Sequence, residues 1–143
     1  MSNSSFSKLV STDDGKVVWS GDLGNIDWSA IYLRGFLYET VSDTAMRTHL
    51  QCADMSNGNL MWGKSIKMPT FTEASDKLII LDEDGILHIA EATPKGYQEL
   101  SSGDALGGRD DVARKFWTPP VLVGGRLYYR NYEGQLVCID MRK

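Results

Sequence analysis

Short stretches in which apolar and polar residues alternate run along the whole chain. The alternation is most regular in three of them, where a leucine is followed at intervals of two by cysteine or isoleucine and then by a carboxylate: Leu50-x-Cys52-x-Asp54, Leu87-x-Ile89-x-Glu91 and Leu136-x-Cys138-x-Asp140. A period of two is typical of a β-strand that buries one face. The pattern therefore predicts one kind of strand, repeated three times.

The residues around each of these strands predict further strands in a constant order. Two strands precede each one, at 29–33 and 36–38, at 70–74 and 77–79, and at 119–123 and 126–128. After the first two, turns at Gly58 and Gly96 lead into strands at 59–62 and 97–100. Four antiparallel strands in about forty residues are the footprint of a β-propeller blade. We label the strands of a blade A to D, from the propeller axis outward.

The repeat divides the chain, as a single domain 1–143, into four parts. We predict the end of a blade (strands C and D) at 8–23, complete blades at 28–66 and 68–102, and a last blade with strands A to C at 117–143. A closed propeller needs about four to eight blades, so the sequence predicts an all-β partial propeller of about 3–3.5 blades. The D-type strand at Lys16–Leu23 is predicted to be free to complete a ring.

Composition and charge narrow the class of partner. The chain is 42% hydrophobic, which is enough for a core, and its formal net charge is −4. Such a charge disfavours nucleic acid and anionic membrane surfaces. No stretch approaches the roughly 18 apolar residues of a membrane span, and Met1–Ser7 lacks the features of a secretory signal. We therefore expect neither a nucleic-acid partner nor a membrane span.

Two segments carry a resemblance to a known family. Asp54-Met-Ser-Asn-Gly58-Asn-Leu-Met-Trp62, and the equivalent run from Ser11 to Trp19, resemble the "Asp, three residues, Gly, three residues, Trp" repeat of pyrroloquinoline-quinone-like (quinoprotein-like) propellers. This superfamily contains quinoprotein alcohol dehydrogenases and the propeller lipoprotein of outer-membrane protein assembly. Residues 117–140 are similar to the last blade of its non-enzymatic members, whereas residues 91–100 depart from the repeat.

The resemblance implies how the chain is built and where it works. The repeated tryptophans, Trp19 and Trp62, are expected to pack between neighbouring blades instead of forming a platform for a ring ligand. In many relatives the last blade takes its D strand from the N-terminal part of the chain. Relatives are usually exported to the periplasm or the extracellular space, whereas Met1–Ser7 shows no secretory signal. The sequence therefore does not predict the compartment of this chain.

The residues of the repeat are predicted to be structural. A catalytic pair of carboxylates needs a separation of a few Å, but Asp54, Glu91 and Asp140 occur once per blade. Asx turns explain their positions better, together with the turn glycines Gly58, Gly85 and Gly134. Cys52 and Cys138 share one strand column and are predicted to be small buried core residues without a disulfide. His49 and His88 occupy non-equivalent strand positions that imply no shared ligand set.

We expect no catalytic, cofactor or metal site. The chain lacks adjacent cysteines and a calcium-ligand cluster such as Asp-x-Asn-x-Asp, which relatives that use the quinone carry. Two connections are predicted to be long loops on the ligand-binding face, Glu39–Thr48 and Ser101–Phe116. The second carries the charged candidates for binding, which are Asp104, Arg109, Asp110, Asp111 and Arg114. A solvated excursion is the equally weighted alternative for these loops.

The sequence therefore favours a non-catalytic binding or assembly module, a scaffold whose partner is a protein or a second copy. Its ring would be completed by self-association or by further blades upstream. Exposed sheet faces at both ends, bearing Leu9, Trp19 and Val137, are expected to drive homo-oligomer formation. One alternative is a fragment of a quinone- and calcium-dependent dehydrogenase. Another is a polysaccharide-associated propeller, for which Tyr132 is an exposed aromatic candidate.

Overall fold

A computed structural model describes residues 7–21, 23, 25–26, 30–43 and 45–142 of the chain. Within these residues all regular structure is β, so the all-β prediction is confirmed. The strands are β1 Ser7–Val10, β2 Val17–Gly21, β3 Asn25–Ile26, β4 Ile31–Leu33, β5 Phe36–Ser42, β6 Thr48–Asp54, β7 Leu60–Ser65, β8 Thr70–Ala74, β9 Lys77–Leu81, β10 Ile86–Glu91, β11 Glu99–Asp104, β12 Val121–Val123, β13 Arg126–Arg130 and β14 Leu136–Asp140. No helix in this part of the chain is long and apolar enough to cross a membrane.

The strands form antiparallel sheets whose neighbours follow chain order. β1 pairs with β2, and β8 to β11 form a four-stranded sheet. β12 to β14 form a three-stranded sheet, here called the end sheet. In the remaining sheet β5, β6 and β7 follow one another, and both β3 and β4 pair with β5, so the inner strand is split in two. This is the strand order expected for propeller blades. The predicted boundary at residue 28 and the start of the strand predicted at 29–33 lie outside the described residues.

The chain divides into two compact units. The first comprises residues 1–65 and 94–96, and the second comprises residues 66–93 and 97–143. In the first unit, cross-strand pairing places Tyr38, Cys52 and Trp62 in one row across β5, β6 and β7. All three side chains are buried, and the rings of Tyr38 and Trp62 lie 6.1 Å apart. This row forms part of the hydrophobic core of the first unit.

The core of the second unit draws on a connection as well as on strands. Residues 105–116, here called the connection, supply Ala105, Leu106, Val112 and Phe116. These four side chains pack with Ile79, Leu81, Leu127 and Tyr129 from β9 and β13. The rings of Phe116 and Tyr129 meet edge to face at 5.4 Å. The connection is therefore held by apolar burial and is not a wholly solvated excursion.

Both predicted long loops are shorter than the sequence suggests. Glu39–Ser42 belong to β5, whose pairing with β6 runs without interruption from Phe36 to Ser42. Ser101–Asp104 belong to β11, which pairs with β10 as far as Asp104. The polar residues of these segments resemble loop composition. Strand pairing nevertheless continues through them, because the ladder satisfies their backbone groups whatever the side chain.

Three predictions about the ends of the chain are wrong in detail. Cys138 is exposed, because on β14 it shares a face with Leu136 that no described element covers. Val137 lies on the opposite face and is half-buried against the core of the second unit. Of the strand predicted to be free at Lys16–Leu23, residues 17–21 form β2 and are paired with β1.

Candidate binding surface of the connection and the end sheet

The connection is tied at both ends to neighbouring backbone. The Ala105 amide donates to the Gly85 carbonyl at 2.9 Å, and the Lys115 amide donates to the Glu83 carbonyl at 2.9 Å. The Lys115 carbonyl in turn accepts from the amide of Tyr132 at 3.1 Å. These bonds fix the connection to the β9–β10 turn on one side and to the β13–β14 turn on the other.

Buried polar side chains hold the middle of the connection. The Asn131 side-chain amide donates to the Ala113 carbonyl at 2.7 Å, and the Ala113 amide donates to Gln135 Oε1 at 3.0 Å. The Tyr129 hydroxyl donates to the Ala105 carbonyl at 2.7 Å. Burial raises the pKa of Tyr129 to about 12. The connection therefore presents its outer side chains from a fixed backbone.

Two of the predicted binding residues are engaged in hydrogen bonds and an ion pair with the connection and the turn beside it. Asp104 accepts hydrogen bonds from the amides of Leu106 at 2.9 Å and Gly108 at 3.2 Å. It also forms an ion pair with Arg114 at 3.0 Å. The Leu106 amide first, and Arg114 second, lower the pKa of Asp104. Arg114 reaches the Asp84 carbonyl as well. Asp104 and Arg114 thus organise the connection.

The other three predicted binding residues form its outer rim. Arg109 and Asp111 make a two-point ion pair with nitrogen–oxygen distances of 2.6 and 2.9 Å, and both side chains are more than half exposed. The hydrogen bond from Arg109 lowers the pKa of Asp111. Asp110, between them, is also exposed. This rim is exposed, and a partner can reach it.

An open groove lies beside the connection, between the entry to the end sheet and the β13–β14 turn. Its volume is about 450 Å³, and its lining includes Trp117, Thr118, Arg130, Asn131, Tyr132 and Glu133. We call it the aromatic groove, because the rings of Trp117 and Tyr132 lie 6.0 Å apart at 42°. Sequence reasoning named Tyr132 and missed Trp117. The available signal was that Trp117 lies outside the repeated spacing that accounts for Trp19 and Trp62.

The repeated tryptophans lie in the first unit and are packed. The Trp19 indole nitrogen donates to the Met55 carbonyl at 2.7 Å, which joins β2 to the turn between β6 and β7. Trp62 is 9% exposed and lies beside Tyr38. Neither ring is a free platform in this arrangement.

The three repeated carboxylates have different hydrogen-bond and ion-pair partners. Asp54 accepts from the Ser56 amide at 2.8 Å, and Asp140 accepts from the Arg142 amide at 3.1 Å, so both cap the turn that follows their strand. Hydrogen bonds from Ser56 and Arg142 lower the pKa values of Asp54 and Asp140 respectively. Glu91 instead lies 3.7 Å from Lys77 across the β9–β10 pair. Asp140 makes a comparable contact across the β13–β14 pair, where it lies 3.7 Å from Arg126.

The two histidines lie on different strands with different partners. His88 on β10 contacts Glu99 through Nδ1 at 2.9 Å and lies 3.7 Å from Asp82 through Nε2. His49 on β6 lies 3.5 Å from Asp43. Among the described residues, no group of three or more histidine, cysteine or carboxylate side chains is arranged to hold a metal ion.

The end sheet exposes one face and one edge. Leu122, Val137 and Ile139 pack on the core of the second unit. The opposite face carries Val121, Val123 and Leu136, which are 59%, 60% and 69% exposed, together with Cys138 and the exposed Arg126, Arg130 and Asp140. In the part of the chain that the structure describes, β14 pairs only with β13. By contrast, β6 and β10, the equivalent strands of the complete sheets, are paired on both sides.

Comparison with known proteins supports the fold. No family model matches the chain, and no curated protein matches it. Among solved structures, the chain is similar to the β-propeller BamB from Moraxella catarrhalis, with 14% identity and a TM-score of 0.50 over 94% of this chain and 53% of BamB. It is also similar to the computationally designed protein Ika4, with 12% identity and a TM-score of 0.49 over 90% of this chain and 99% of Ika4. The chain thus spans about half the length of BamB, and its fold is that of a partial β-propeller.

Proposed function

We propose that the chain is a non-catalytic binding and assembly module of the pyrroloquinoline-quinone-like propeller type, which associates with a second copy of itself through β14. The observation that carries this proposal is the end sheet. Within the described residues, it combines the unpaired edge of β14 with an exposed face that carries Val121 and Val123 of β12 and Leu136 of β14.

The free edge of β14 supports strand addition. Unpaired backbone donors and acceptors along an exposed strand are a ready template for another strand. The third strand of each complete sheet, β6 or β10, already has an outer neighbour, which is β7 or β11. An added strand would give β14 the same neighbour and complete a four-stranded sheet.

The exposed face supports the same conclusion through the hydrophobic effect. Val121, Val123 and Leu136 are all more than half exposed on one side of the end sheet. Burying apolar surface stabilises an association by about 25 cal/mol for each Å². Large exposed apolar patches typically mark interaction sites in soluble proteins. A partner that covers this face therefore gains apolar burial in addition to backbone hydrogen bonds.

The sequence of β2 supports a second copy as the partner. In the first unit, Cys52 on β6 pairs with Trp62 on β7. Because Cys138 and Trp19 are the equivalent residues of the repeat, the same register places Trp19 of a second copy opposite Cys138. In this arrangement β2 exchanges β1 for the β14 of its partner, and a two-fold dimer forms two such pairings.

Light scattering over a range of protein concentrations tests self-association. We expect a dimer that is weakened by Leu136→Lys, while Met46→Lys serves as the control because Met46 is 80% exposed in the first unit. A stable monomer with a native melting transition at every concentration would refute the proposal.

Cysteine cross-linking tests the register. Paired residues on neighbouring strands come close enough for a disulfide, which needs Cα atoms within about 7 Å. Trp19→Cys should therefore cross-link to Cys138 of a second copy under mild oxidation. Ser20→Cys is the matched control, since successive residues of a strand point to opposite faces. Equal cross-linking of both variants would contradict this register.

The outer rim of the connection is a second candidate surface for protein contact. Arg109, Asp110 and Asp111 are exposed, and hydrogen bonds fix the backbone on either side of them. Fixed charged groups favour specific association because less conformational entropy is lost on binding. We expect Arg109→Ala/Asp111→Ala to abolish capture of a protein that co-purifies with the wild-type chain. Capture that is unchanged by this double substitution would exclude the rim.

The rival function, a quinone-dependent dehydrogenase fragment, has a direct test. Purified protein is mixed with pyrroloquinoline quinone and calcium, and the visible absorption spectrum is compared with that of the free quinone. We expect no new band. A protein-dependent band would overturn the non-catalytic proposal and favour the dehydrogenase.

A further inference from the structure

The aromatic groove presents two exposed rings in a fixed orientation. Trp117 and Tyr132 are 42% and 54% exposed. The Trp117 indole nitrogen donates to Glu83 Oε1 at 3.1 Å, and the Tyr132 hydroxyl donates to Glu133 Oε1 at 3.0 Å. The opposite oxygen of Glu83 lies 3.4 Å from the Lys67 ammonium group. Both rings are thus oriented by polar contacts before any ligand arrives.

The groove also carries two cations that form no ion pair with a described carboxylate. Arg130 lines the groove and is exposed, and the Lys115 ammonium group lies 5.7 Å from the centre of the Tyr132 ring. Within the described ranges, neither cation lies within ion-pair distance of a carboxylate. The carboxylates nearest the rings, Glu83 and Glu133, are the ones that hold Trp117 and Tyr132. A chain whose net charge is −4 therefore places two cations that have no direct carboxylate partner among the described residues beside its exposed rings.

We propose that the aromatic groove binds an extended, acidic peptide segment of a partner protein. An apolar residue of the peptide, such as proline, lies on the rings of Trp117 and Tyr132. A peptide carboxylate pairs with the Arg130 guanidinium group, whose planar donors suit a carboxylate. Aromatic grooves of this kind bind proline-containing segments at low entropic cost. This inference rests on contacts of the second unit and does not depend on self-association.

The composition of the groove favours a peptide. Tryptophan, tyrosine and arginine are the residue types that contribute most binding energy at protein interfaces. The groove volume of about 450 Å³ lies within the range of roughly 300–1,000 Å³ typical of ligand sites. It accommodates a short segment and not a folded domain.

The remaining polar groups of the groove are poorly suited to a sugar. The Asn131 side-chain amide is occupied by the Ala113 carbonyl and by Gln135. The Thr118 hydroxyl donates to the Arg130 carbonyl at 3.2 Å. A carbohydrate presents many hydroxyl groups that need partners when they are buried. With these side chains engaged, the charged donors left beside the rings are Arg130 and Lys115, and the guanidinium group of Arg130 matches one carboxylate.

Selection from a library of displayed random peptides tests the proposal. Peptides are selected on the wild-type chain and counter-selected on Trp117→Ala/Tyr132→Ala. We expect enriched peptides that combine Asp or Glu with proline or another apolar residue. Their affinity should fall by about tenfold or more in Trp117→Ala, Tyr132→Ala and Arg130→Glu. Added salt should weaken binding to the wild-type chain, because salt screens the Arg130–carboxylate pair.

Matched variants separate binding from folding. Tyr32→Ala and Lys8→Glu alter an exposed ring and an exposed cation of the first unit, and they should leave peptide affinity unchanged. Trp117→Phe keeps a ring but loses the bond to Glu83, so it should retain part of the affinity that Trp117→Ala loses. Thermal melts identify any groove variant that fails to fold.

Three results would overturn the inference. The first is the absence of enriched peptides on the folded wild-type chain. The second is enrichment of peptides whose binding is unchanged by the groove substitutions. The third is binding on a glycan array that is lost in Trp117→Ala when no peptide is selected, which would identify a sugar site. A monomeric chain that binds selected peptides through the groove would refute self-association and leave this inference intact.

Discussion

The indole ring of Trp19 lies directly over the backbone of Gly58. A Cβ atom at Gly58 would come within 2.6 Å of the Trp19 ring atom Cε3, and the φ angle of Gly58 is +75°. Two separate constraints therefore favour glycine at position 58. The positive φ angle of the turn disfavours other residues, and the Trp19 ring leaves no room for a side chain. This contact joins the two-stranded β1–β2 sheet to the neighbouring sheet of the first unit.

Substitution of Gly58 should be more destabilising than substitution of an equivalent glycine in open space. Gly15 has a φ angle of +69°, and a methyl group at Gly15 would meet no described atom within 4 Å, so Gly15→Ala reports backbone strain alone. Gly58→Ala adds overpacking, which typically costs about 1–3 kcal/mol. Urea unfolding of the two variants measures the difference. Equal losses of stability would show that Trp19 moves aside freely.

Trp62 should contribute more to the stability of the fold than Trp117. Trp62→Ala removes a buried ring that packs near Tyr38, and a deletion of this kind costs about 3–5 kcal/mol. Trp117→Ala removes an exposed ring, so its effect on unfolding should be much smaller. Urea midpoints of both variants provide the comparison. An unchanged midpoint for Trp62→Ala would refute the packing role.

Glu39 should make stability depend on pH. Its side chain is fully buried, Gln51 donates to its Oε1 at 2.9 Å, and among the described residues its Oε2 has no hydrogen-bond partner. Burial raises the pKa of Glu39 above its unfolded value of about 4.3. The contribution of Glu39 to the free energy of unfolding is therefore fully present below about pH 4.3, where its carboxyl is neutral. This contribution is lost as pH rises through the folded pKa, because a buried carboxylate is disfavoured.

Glu39→Gln tests this dependence, because the amide stays neutral at every pH. We expect the variant to be more stable than the wild type at neutral pH and to show a flatter stability profile as pH rises above about 4.3. Glu99→Gln is the control of opposite sign, since the Tyr97 hydroxyl lowers the pKa of Glu99. Parallel wild-type and Glu39→Gln profiles would contradict the prediction.

The two arginines Arg114 and Arg109 should differ in their contribution to stability. Arg114→Ala should lower the urea midpoint, because Arg114 links the connection to Asp104 and to the Asp84 carbonyl. Arg109→Ala should leave the midpoint unchanged, because the ion pair of the Arg109 side chain is with Asp111, which is itself exposed. Equal melts would show that the connection is held by its apolar residues alone.

The sequence by itself determined the kind and order of the strands. Alternation with a period of two and the turn residues between strands are local properties, and they predicted strands such as β6, β10 and β14. The turn cap at Asp54 is similarly local, because its carboxylate reaches the Ser56 amide two residues away. Residues close in sequence are enough to predict these features.

Only the tertiary structure decided which repeated positions are buried and which connections belong to the core. Cys52 and Cys138 occupy the same column of the repeat, yet Cys52 is buried beneath neighbouring elements and Cys138 is exposed at an open edge. The glycine-rich and charged stretch from Ala105 to Phe116 reads as a loop, but four of its side chains complete the core of the second unit. Burial depends on what packs against a residue from elsewhere in the chain, and a local pattern does not contain that information.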